Sequence, residues 1–252
     1  MVHKILKKIF GAFGYKLVEK DLFKSQRIIS SKSYLTVELL IENLVKKGKI
    51  KSLIQIGAND GLRFDVLNKY IKEYKIDSLL VEPIPFYYSK LKENYSADNF
   101  VKLEKSAITK KSGTISMYTV KKEYLKKYDE HIKGLSSINK KHLNKHSVKS
   151  NHIEEISVEC LSPKDLLEKH QIKNLDLVYI DAEGYDGDIV VNFLNNLNFQ
   201  PIIIFEFIHI KYDLFKNVIE KLDEKKYRYF STDENLICFP KKDIFYESIH
   251  LK

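Results

Sequence analysis

Two patterns of hydrophobic and polar positions alternate along the chain. Short apolar runs of four to six residues, typical of buried strands, occur at 52–56, 78–82, 100–103, 177–180 and 202–207. Apolar residues at helical spacing lie around these runs, near 33–48, 62–74, 85–94 and 212–223. This order of elements predicts an α/β fold with a mostly parallel sheet and helices on both faces.

A glycine turn follows the first apolar run, with the sequence Ile56-Gly57-Ala58-Asn59-Asp60-Gly61. A dinucleotide fingerprint requires glycine at its first, third and sixth positions, so that the backbone can approach a pyrophosphate. Counted from Gly57, the third and sixth positions are Asn59 and Leu62, and two of the three glycines are therefore missing. The Gly57 to Gly61 spacing still permits a sharp turn past a ligand without pyrophosphate, such as S-adenosylmethionine (SAM). We therefore predict that residues 57–61 bind a cofactor of this kind.

Acidic residues end three of the predicted strands. Glu82 lies 21 residues after Gly61, where a carboxylate can accept hydrogen bonds from both ribose hydroxyls of an adenosine ligand. The alternative is a solvated carboxylate at a strand end. Two later strands are followed by further polar residues: Asp181, Glu183, Glu206 and His209. Because ligands bind outside the carboxyl ends of parallel strands, we expect all of these side chains on one rim of the sheet.

Four motifs occur in order and in register: QIGANDG at 55–61, VEP at 81–83, IDAEGYD at 180–186 and IIIFEFIH at 202–209. With these motifs the sequence resembles the FkbM family of SAM-dependent methyltransferases, from about Lys51 to Pro240. The resemblance implies a Rossmann-like class I methyltransferase, with a seven-stranded sheet whose last strand is antiparallel. The closing strand patterns at 227–231 and 236–239 suit that last strand, which dinucleotide folds normally lack.

The resemblance also implies roles for individual residues. SAM would be the cofactor, and its site would further include Pro83, Ser106, Ala107 and Asp181. The acceptor would contact Ser136, Ser137 and Tyr185. One position departs from the pattern of many methyltransferases, because Gln55 stands where they carry an acidic residue. An uncharged amide would hold the SAM amino group more weakly.

The domain organisation predicted from the sequence has three parts. Residues 1–50 form an N-terminal helical, basic amphipathic segment, residues 51–240 form the SAM-binding domain, and residues 241–252 form a tail. Within the domain, 121–152 is rich in lysine and weakly periodic, and we interpret it as a mobile basic insertion. It is either a solvated loop or a lid that attracts an anionic acceptor. Its histidines lack metal-motif spacing, and a zinc site is not expected there: His131, His142, His146 and His152.

The amino-acid composition limits which kinds of binding partner and which cellular compartment are expected. The net charge of +9 comes from 43 basic and 34 acidic residues, but only three of the basic residues are arginine. Arginine is preferred for recognition of phosphates and bases, so nucleic acid is not the expected partner. No apolar run approaches the ~20 residues of a membrane span, and Cys160 and Cys238 indicate no disulfide framework. We expect a cytoplasmic protein, whose residues 1–20 either pack on the domain or lie on the inner face of the membrane.

The predicted reaction is methyl transfer from SAM to a hydroxyl, and the resemblance suggests a sugar in a surface polysaccharide or glycolipid. His209 is the first candidate for the general base, with Asp181, Glu183 or Glu206 orienting it or acting alone. Asp181 and Glu206 together suggest a divalent cation site, although a metal is not the favoured interpretation. Two other classes stay open: a non-catalytic SAM- or glycan-binding partner of glycosyltransferases, and a nicotinamide oxidoreductase.

Overall fold

The structure is a computed structural model, and it describes residues 36–232 and 234–241. The predicted amphipathic segment at 1–20 and nearly all of the predicted tail lie outside these ranges. The helices are α1 (Val37–Lys46), α2 (Asn68–Tyr74), α3 (Pro85–Asn94), α4 (Glu130–Lys133), α5 (Lys140–Lys145), α6 (Pro163–Lys169), α7 (Asp186–Asn196) and α8 (Tyr212–Glu224). None of the helices in the described ranges has the length and apolar character needed to cross a bilayer.

Seven strands form the main sheet, in the order β10-β11-β9-β8-β1-β2-β3. They are β1 (Ser52–Ile56), β2 (Asp77–Val81), β3 (Val101–Glu104), β8 (Leu177–Ile180), β9 (Ile202–Glu206), β10 (Tyr227–Thr232) and β11 (Asn235–Pro240). Strands β1, β2, β3, β8 and β9 are parallel, and β11 runs antiparallel to both of its neighbours. Ile56 is in register with Val81 and Ile180, so the loops after β1, β2 and β8 start at one level. The predicted sheet, including its antiparallel last strand, is confirmed.

Both faces of the central strands of the main sheet are buried. Alternate strand residues, including Ile54, Val178 and Phe205, belong to one hydrophobic cluster with Phe193 of α7 and Val218 of α8. The residues between them point to the opposite face and are buried as well: Leu53, Leu80, Leu177 and Ile204. Because the strand residues that point to either face are shielded from solvent, the sheet has the two covered faces expected of an α/β fold. This explains why its buried strands appear in the sequence as continuous apolar runs.

A second, four-stranded sheet has the order β4-β7-β5-β6. Its strands are β4 (Ala107–Ile108), β5 (Gly113–Val120), β6 (Ser136–Ser137) and β7 (Ile153–Leu161). Strand β5 pairs along its whole length with β7, from Gly113 opposite Cys160 to Val120 opposite Ile153. This antiparallel ladder anchors both ends of the 121–152 segment.

The 121–152 segment contains short elements: 3₁₀ turns at Lys122–Lys127 and Ser150–His152, together with α4, β6 and α5. Its apolar side chains form a cluster of their own, in which Ile132, Leu135 and Leu143 pack with Val120 of β5 and Ile153 of β7. Elements of two to six residues are too short to show a repeating hydrophobic pattern. The weak periodicity therefore reflects short elements, and the predicted mobility stays a prediction.

Helix α2 begins at Asn68, whereas the sequence pattern placed its start at 62. Two aspartates explain the difference. Asp60 Oδ1 accepts hydrogen bonds from the backbone N–H groups of Leu62 and Arg63, at 3.1 and 2.9 Å. Asp65 Oδ1 accepts in the same way from Leu67 and Asn68, at 2.8 and 3.2 Å. Such side-chain turns compete with helix formation, and the prediction for 62–67 is wrong.

Candidate active site

A cavity of about 390 Å³ lies at the carboxyl ends of β1, β2 and β8. Most of the predicted cofactor residues line it: Gly57, Ala58, Asn59, Asp60, Glu82, Pro83, Ser106, Ala107 and Asp181. Glu183, Ser136 and Tyr185 line it as well. Four predicted residues are not among the described residues of its wall: Gly61, Ser137, Glu206 and His209.

The glycine turn fits closely against its neighbours. Gly57 has φ +83°, and a Cβ there would lie 1.8 Å from the carbonyl oxygen of Asp181. Gly61 has φ +67°, and a Cβ there would lie 2.4 Å from Leu91 Cδ1 of α3. A side chain is excluded at both positions, by conformation and by contact. Gly61 therefore shapes the turn from outside the cavity, while Gly57 brings the turn against the end of β8.

Asn59 connects the glycine turn to the 121–152 segment. Its Nδ2 donates to the carbonyl oxygen of Gly134 at 3.0 Å, and its backbone N–H donates to Glu82 Oε2 at 2.9 Å. Its φ of +50° is one that asparagine tolerates better than most residues. The side chain that replaces the second glycine of a dinucleotide fingerprint thus binds the wall of the cavity.

Glu82 is 3% exposed, and both of its carboxylate oxygens accept backbone hydrogen bonds. Oε2 accepts from Asn59 at 2.9 Å, and Oε1 accepts from Ile84 at 2.8 Å. Burial raises the pKa of Glu82 to about 7, although these two bonds oppose the shift. Each carboxylate oxygen has a further acceptor site, so Glu82 can accept two more hydrogen bonds from a ligand.

Three buried polar atoms in the cavity wall have no hydrogen-bond partner among the described residues: Gln55 Oε1, Asp65 Oδ2 and Ser106 Oγ. An unpaired buried polar group costs about 1–3 kcal/mol, so such atoms are normally satisfied by a ligand or water. Two of the three are acceptors, and one is a hydroxyl. They suit a ligand that offers both N–H donors and heterocyclic acceptors.

The charge of the cavity wall is negative. Among the residues that the structure describes, the wall contains two basic ones, Arg63 and Lys133, and seven acidic ones: Asp60, Asp65, Glu82, Glu130, Asp181, Glu183 and Glu234. Helix α2, whose N-terminus would be needed to hold a phosphate, starts well past the turn at Asn68. Both features disfavour a diphosphate and suit a cation. SAM, which carries a sulfonium and an ammonium group, fits this wall.

The side chain of Asp181 is exposed and opens into the cavity, although many protein atoms surround its carboxyl group. Burial, and then the neighbouring carboxyl groups of Glu183, Asp186 and Glu206, hold the pKa of Asp181 well above its usual range. Asp186 is fully buried beneath the loop, and it accepts hydrogen bonds from the backbone of Ala182 and Gly184 at 3.0 and 3.1 Å. These bonds fix the loop that carries Asp181 and Glu183.

The predicted serine pair divides between two environments. Ser136 lines the cavity. Ser137 is 2% exposed, and its hydroxyl donates to the backbone carbonyl of Glu183 at 3.0 Å. Ser137 therefore attaches β6 of the segment to the loop after β8, while Ser136 is the member of the pair that faces a ligand.

Glu206 and His209 lie further out on the rim. Burial, reinforced by the carboxyl of Asp186, raises the pKa of Glu206 to about 8. His209 Nε2 lies 3.9 Å from Glu206 Oε1, and its ring stands edge-on to the ring of His142, with centroids 4.9 Å apart. Burial, followed by the charge of His142, lowers the pKa of His209. Sequence analysis did not anticipate the contact between these two histidines.

The strand order of the main sheet and the acidic adenosine-sized cavity at its carboxyl rim define a Rossmann-like class I methyltransferase. The sequence model described as the Methyltransferase FkbM domain matches residues 55–229. The chain belongs to this family of SAM-dependent methyltransferases, as the motifs indicated.

Several solved structures are similar to the chain at low sequence identity. A methyltransferase FkbM from Methylobacillus flagellatus KT is 12% identical with a TM-score of 0.44, over 76% of this chain and 44% of that one. An O-methyltransferase from Bacillus cereus, in complex with SAH, is 8% identical with a TM-score of 0.45, over 94% and 99%. A precorrin-6y C5,15-methyltransferase from Geobacter metallireducens GS-15 is 11% identical with a TM-score of 0.41, over 82% and 89%. No curated protein sequence matches the chain.

Proposed function

We propose that the protein transfers a methyl group from SAM to a hydroxyl oxygen of a sugar, in a surface polysaccharide or glycolipid. SAM supplies, when bound, an electrophilic methyl group on a sulfonium centre. Glu82 would accept hydrogen bonds from the ribose hydroxyls, and Gln55 and Asp65 would accept from the ammonium group. Ser106 and Ala107 would lie at the adenine end, since they follow β3 at the opposite side of the cavity wall from Asp181.

The observation that carries the choice of oxygen is the position and environment of Asp181. A hydroxyl is a poor nucleophile near neutral pH, and a base within hydrogen-bond reach accelerates its reaction by about 10²–10⁴-fold. Asp181 lines the cavity, and its raised pKa makes its ionised form a stronger base than an ordinary carboxylate. Asp181 would ionise as a cationic cofactor binds, because the added positive charge offsets repulsion from Glu183 and Glu206. The catalytic role predicted for His209 stays a prediction.

The 121–152 segment would close over the acceptor. Tyr87 donates its hydroxyl hydrogen to the backbone carbonyl of Lys133, and Asn59 donates to Gly134, so the segment is held against the wall at adjacent residues. At the same edge, Arg63 pairs with Glu130 at 2.9 Å, and both side chains are about half exposed. An ion pair this exposed contributes little stability. It can therefore open as an acceptor enters, which is the behaviour required of the proposed lid.

The test is transfer of labelled methyl from SAM to lipid, polysaccharide and nucleotide-sugar fractions of the native cell. At saturating SAM, Asp181→Asn should lower the rate of transfer by about 10²–10⁴-fold, while calorimetry shows that the variant still binds SAM. Asp188→Asn, which changes an aspartate of α7 outside the cavity wall, is the matched control. Label recovered on nitrogen or carbon, or wild-type transfer by the Asp181 variant, would contradict the proposal. SAM binding without transfer to any fraction would favour the non-catalytic binding protein.

A further inference from the structure

Three histidines meet at the outer rim of the sheet. His142, His146 and His209 each present a ring nitrogen, and these atoms all lie within 4.8 Å of one another. The ring centroids of His142 and His146 are 4.8 Å apart, and those of His146 and His209 are 5.7 Å apart. The cluster lies outside the cavity wall and is not used by the proposed transfer reaction.

Local structure brings the three rings together. His142 and His146 are four residues apart at the end of α5, so their side chains leave the same side of the helix. His209 arrives from the loop after β9, more than sixty residues later in the chain. Gly184 lies beneath them, and a Cβ there would be 3.6 Å from His142 Nδ1 and 3.7 Å from His209 Cβ. Gly184 therefore lies within direct contact distance of both histidines.

Carboxylates stand behind two of the rings. His142 is 7% exposed, and its Nε2 lies 3.1 Å from Glu183 Oε2. When Nε2 donates its hydrogen to Glu183, the lone pair of His142 is on Nδ1. Glu206 Oε1 lies 3.9 Å from His209 Nε2. A carboxylate that orients a histidine through the nitrogen opposite the ligating one is the usual outer shell of a metal site.

We propose that His142, His146 and His209 bind a divalent transition-metal ion, namely Zn²⁺. The bound ion would connect the 121–152 segment to the loop after β9. Three imidazoles match the ligand number of zinc sites that keep one position open to water or another ligand. Imidazole ligands favour zinc over magnesium or calcium, which prefer oxygen. Zn–N bonds of about 2.0–2.1 Å require ligand atoms about 3.3 Å apart in a tetrahedron. The ring nitrogens lie within 4.8 Å of one another, so rotation of the side chains would have to shorten the longest of these distances by about 1.5 Å.

The proposal does not depend on the methyl acceptor. The ion would bridge α5 of the segment and the end of β9, two elements that approach each other across the loop of Glu183 and Gly184. Glu183 also lines the cavity, so the site would fix the position of one wall residue. From sequence spacing we expected no zinc site among the histidines of 121–152. The site proposed here differs because its third ligand, His209, lies outside that segment.

The test begins with chelator-treated full-length protein titrated with ZnCl₂ by calorimetry, with the bound metal counted by elemental analysis. We expect one zinc per chain, and a melting temperature about 5–10 °C higher at 100-fold excess of zinc over its Kd. Co²⁺ in the same site should give the visible absorption of a four-coordinate ion. Glu183→Gln keeps an acceptor for His142 without the charge, and it should weaken zinc binding by about 10-fold.

His146→Ala and His209→Ala should each weaken zinc binding by at least about 100-fold, since each removes a direct ligand. The control is His170→Gln, because His170 pairs with Glu104 of β3, four strands from β9 along the sheet, and its variant should bind zinc like the wild type. Melting curves of the metal-free variants confirm that each is folded. Less than stoichiometric zinc in the wild type, or unchanged affinity in the folded His146 variant, would overturn the proposal. Methyl transfer is measured separately, so loss of zinc binding and failure of the proposed function are distinguishable.

Discussion

The ionisation of Glu82 makes the affinity for SAM depend on pH. Burial raises the pKa of this carboxyl from an ordinary value of 4.5 to about 7 in the folded protein. Below pH 7 the group is mainly protonated, and it then offers fewer acceptor sites to the two ribose hydroxyls. Above pH 7 it is ionised and accepts both hydrogen bonds. Affinity should therefore rise as the pH passes upward through 7.

The size of the effect follows from the fraction of Glu82 that is ionised. With a pKa of about 7, this fraction is roughly 0.1 at pH 6 and roughly 0.9 at pH 8. If SAM binds the ionised form alone, its apparent Kd is the intrinsic value divided by that fraction. The Kd should then fall about ninefold from pH 6 to pH 8, which corresponds to about 1.3 kcal/mol.

Calorimetric titration with SAM at the two pH values, at constant ionic strength, measures this ratio. Glu82→Gln is the matched control, because it binds SAM more weakly but cannot titrate at this position. Any pH dependence left in the variant belongs to other groups, among them Asp181 and the amino group of SAM. The wild-type ratio should exceed the variant ratio by about ninefold. Equal ratios, or equal affinity of the two proteins at pH 8, would refute the role given to Glu82.

Two predictions concern the backbone. Gly57→Ala should cost at least about 3 kcal/mol and abolish SAM binding, since it adds a contact with the Asp181 carbonyl to the strain of a positive φ. Gly48→Ala is the control, because Gly48 has φ +65° and a Cβ there would meet only Lys51 Cε, at an ordinary 3.9 Å; it should cost about 1–2 kcal/mol from strain alone. Equal losses of stability in urea unfolding of the two variants would show that the contact with the Asp181 carbonyl is unimportant. Ser162 caps α6 by accepting from the N–H of Asp165 at 3.1 Å, so Ser162→Ala should cost about 1 kcal/mol. The exposed Ser89→Ala in α3 should change the stability by less than about 0.5 kcal/mol, and a similar loss in both serine variants would argue against the cap.

Much of the fold was predictable because its signals are local. Four of the five parallel strands, β1, β2, β8 and β9, are buried on both faces and therefore appear as short apolar runs. Ser162-Pro163 marks the start of α6 in the sequence itself. The start of α2 was not predictable from periodicity, since side-chain bonds of Asp60 and Asp65 to the backbone displace it. The pairing of β5 with β7 was not predictable for another reason, because the whole 121–152 segment separates the two strands in the sequence.

The candidate site shows the same division. Glu82 and Asp181 could be placed on one rim because parallel strands end together at their carboxyl edge. Asp65 was missed as part of the cavity wall, since it belongs to a stretch whose spacing indicated a helix. The proximity of His209 to His142 and His146 depends on how the segment folds back over β9. The four-residue spacing of His142 and His146 was the one local signal for it.

A crystal structure of the protein with bound SAH would show directly whether Glu82 binds the ribose of the cofactor. We expect the ribose hydroxyls within hydrogen-bonding distance of the Glu82 carboxylate, with the sulfur facing Asp181 and the adenine beside Ser106 and Ala107. A ligand bound elsewhere, or a ribose that makes no contact with Glu82, would contradict it.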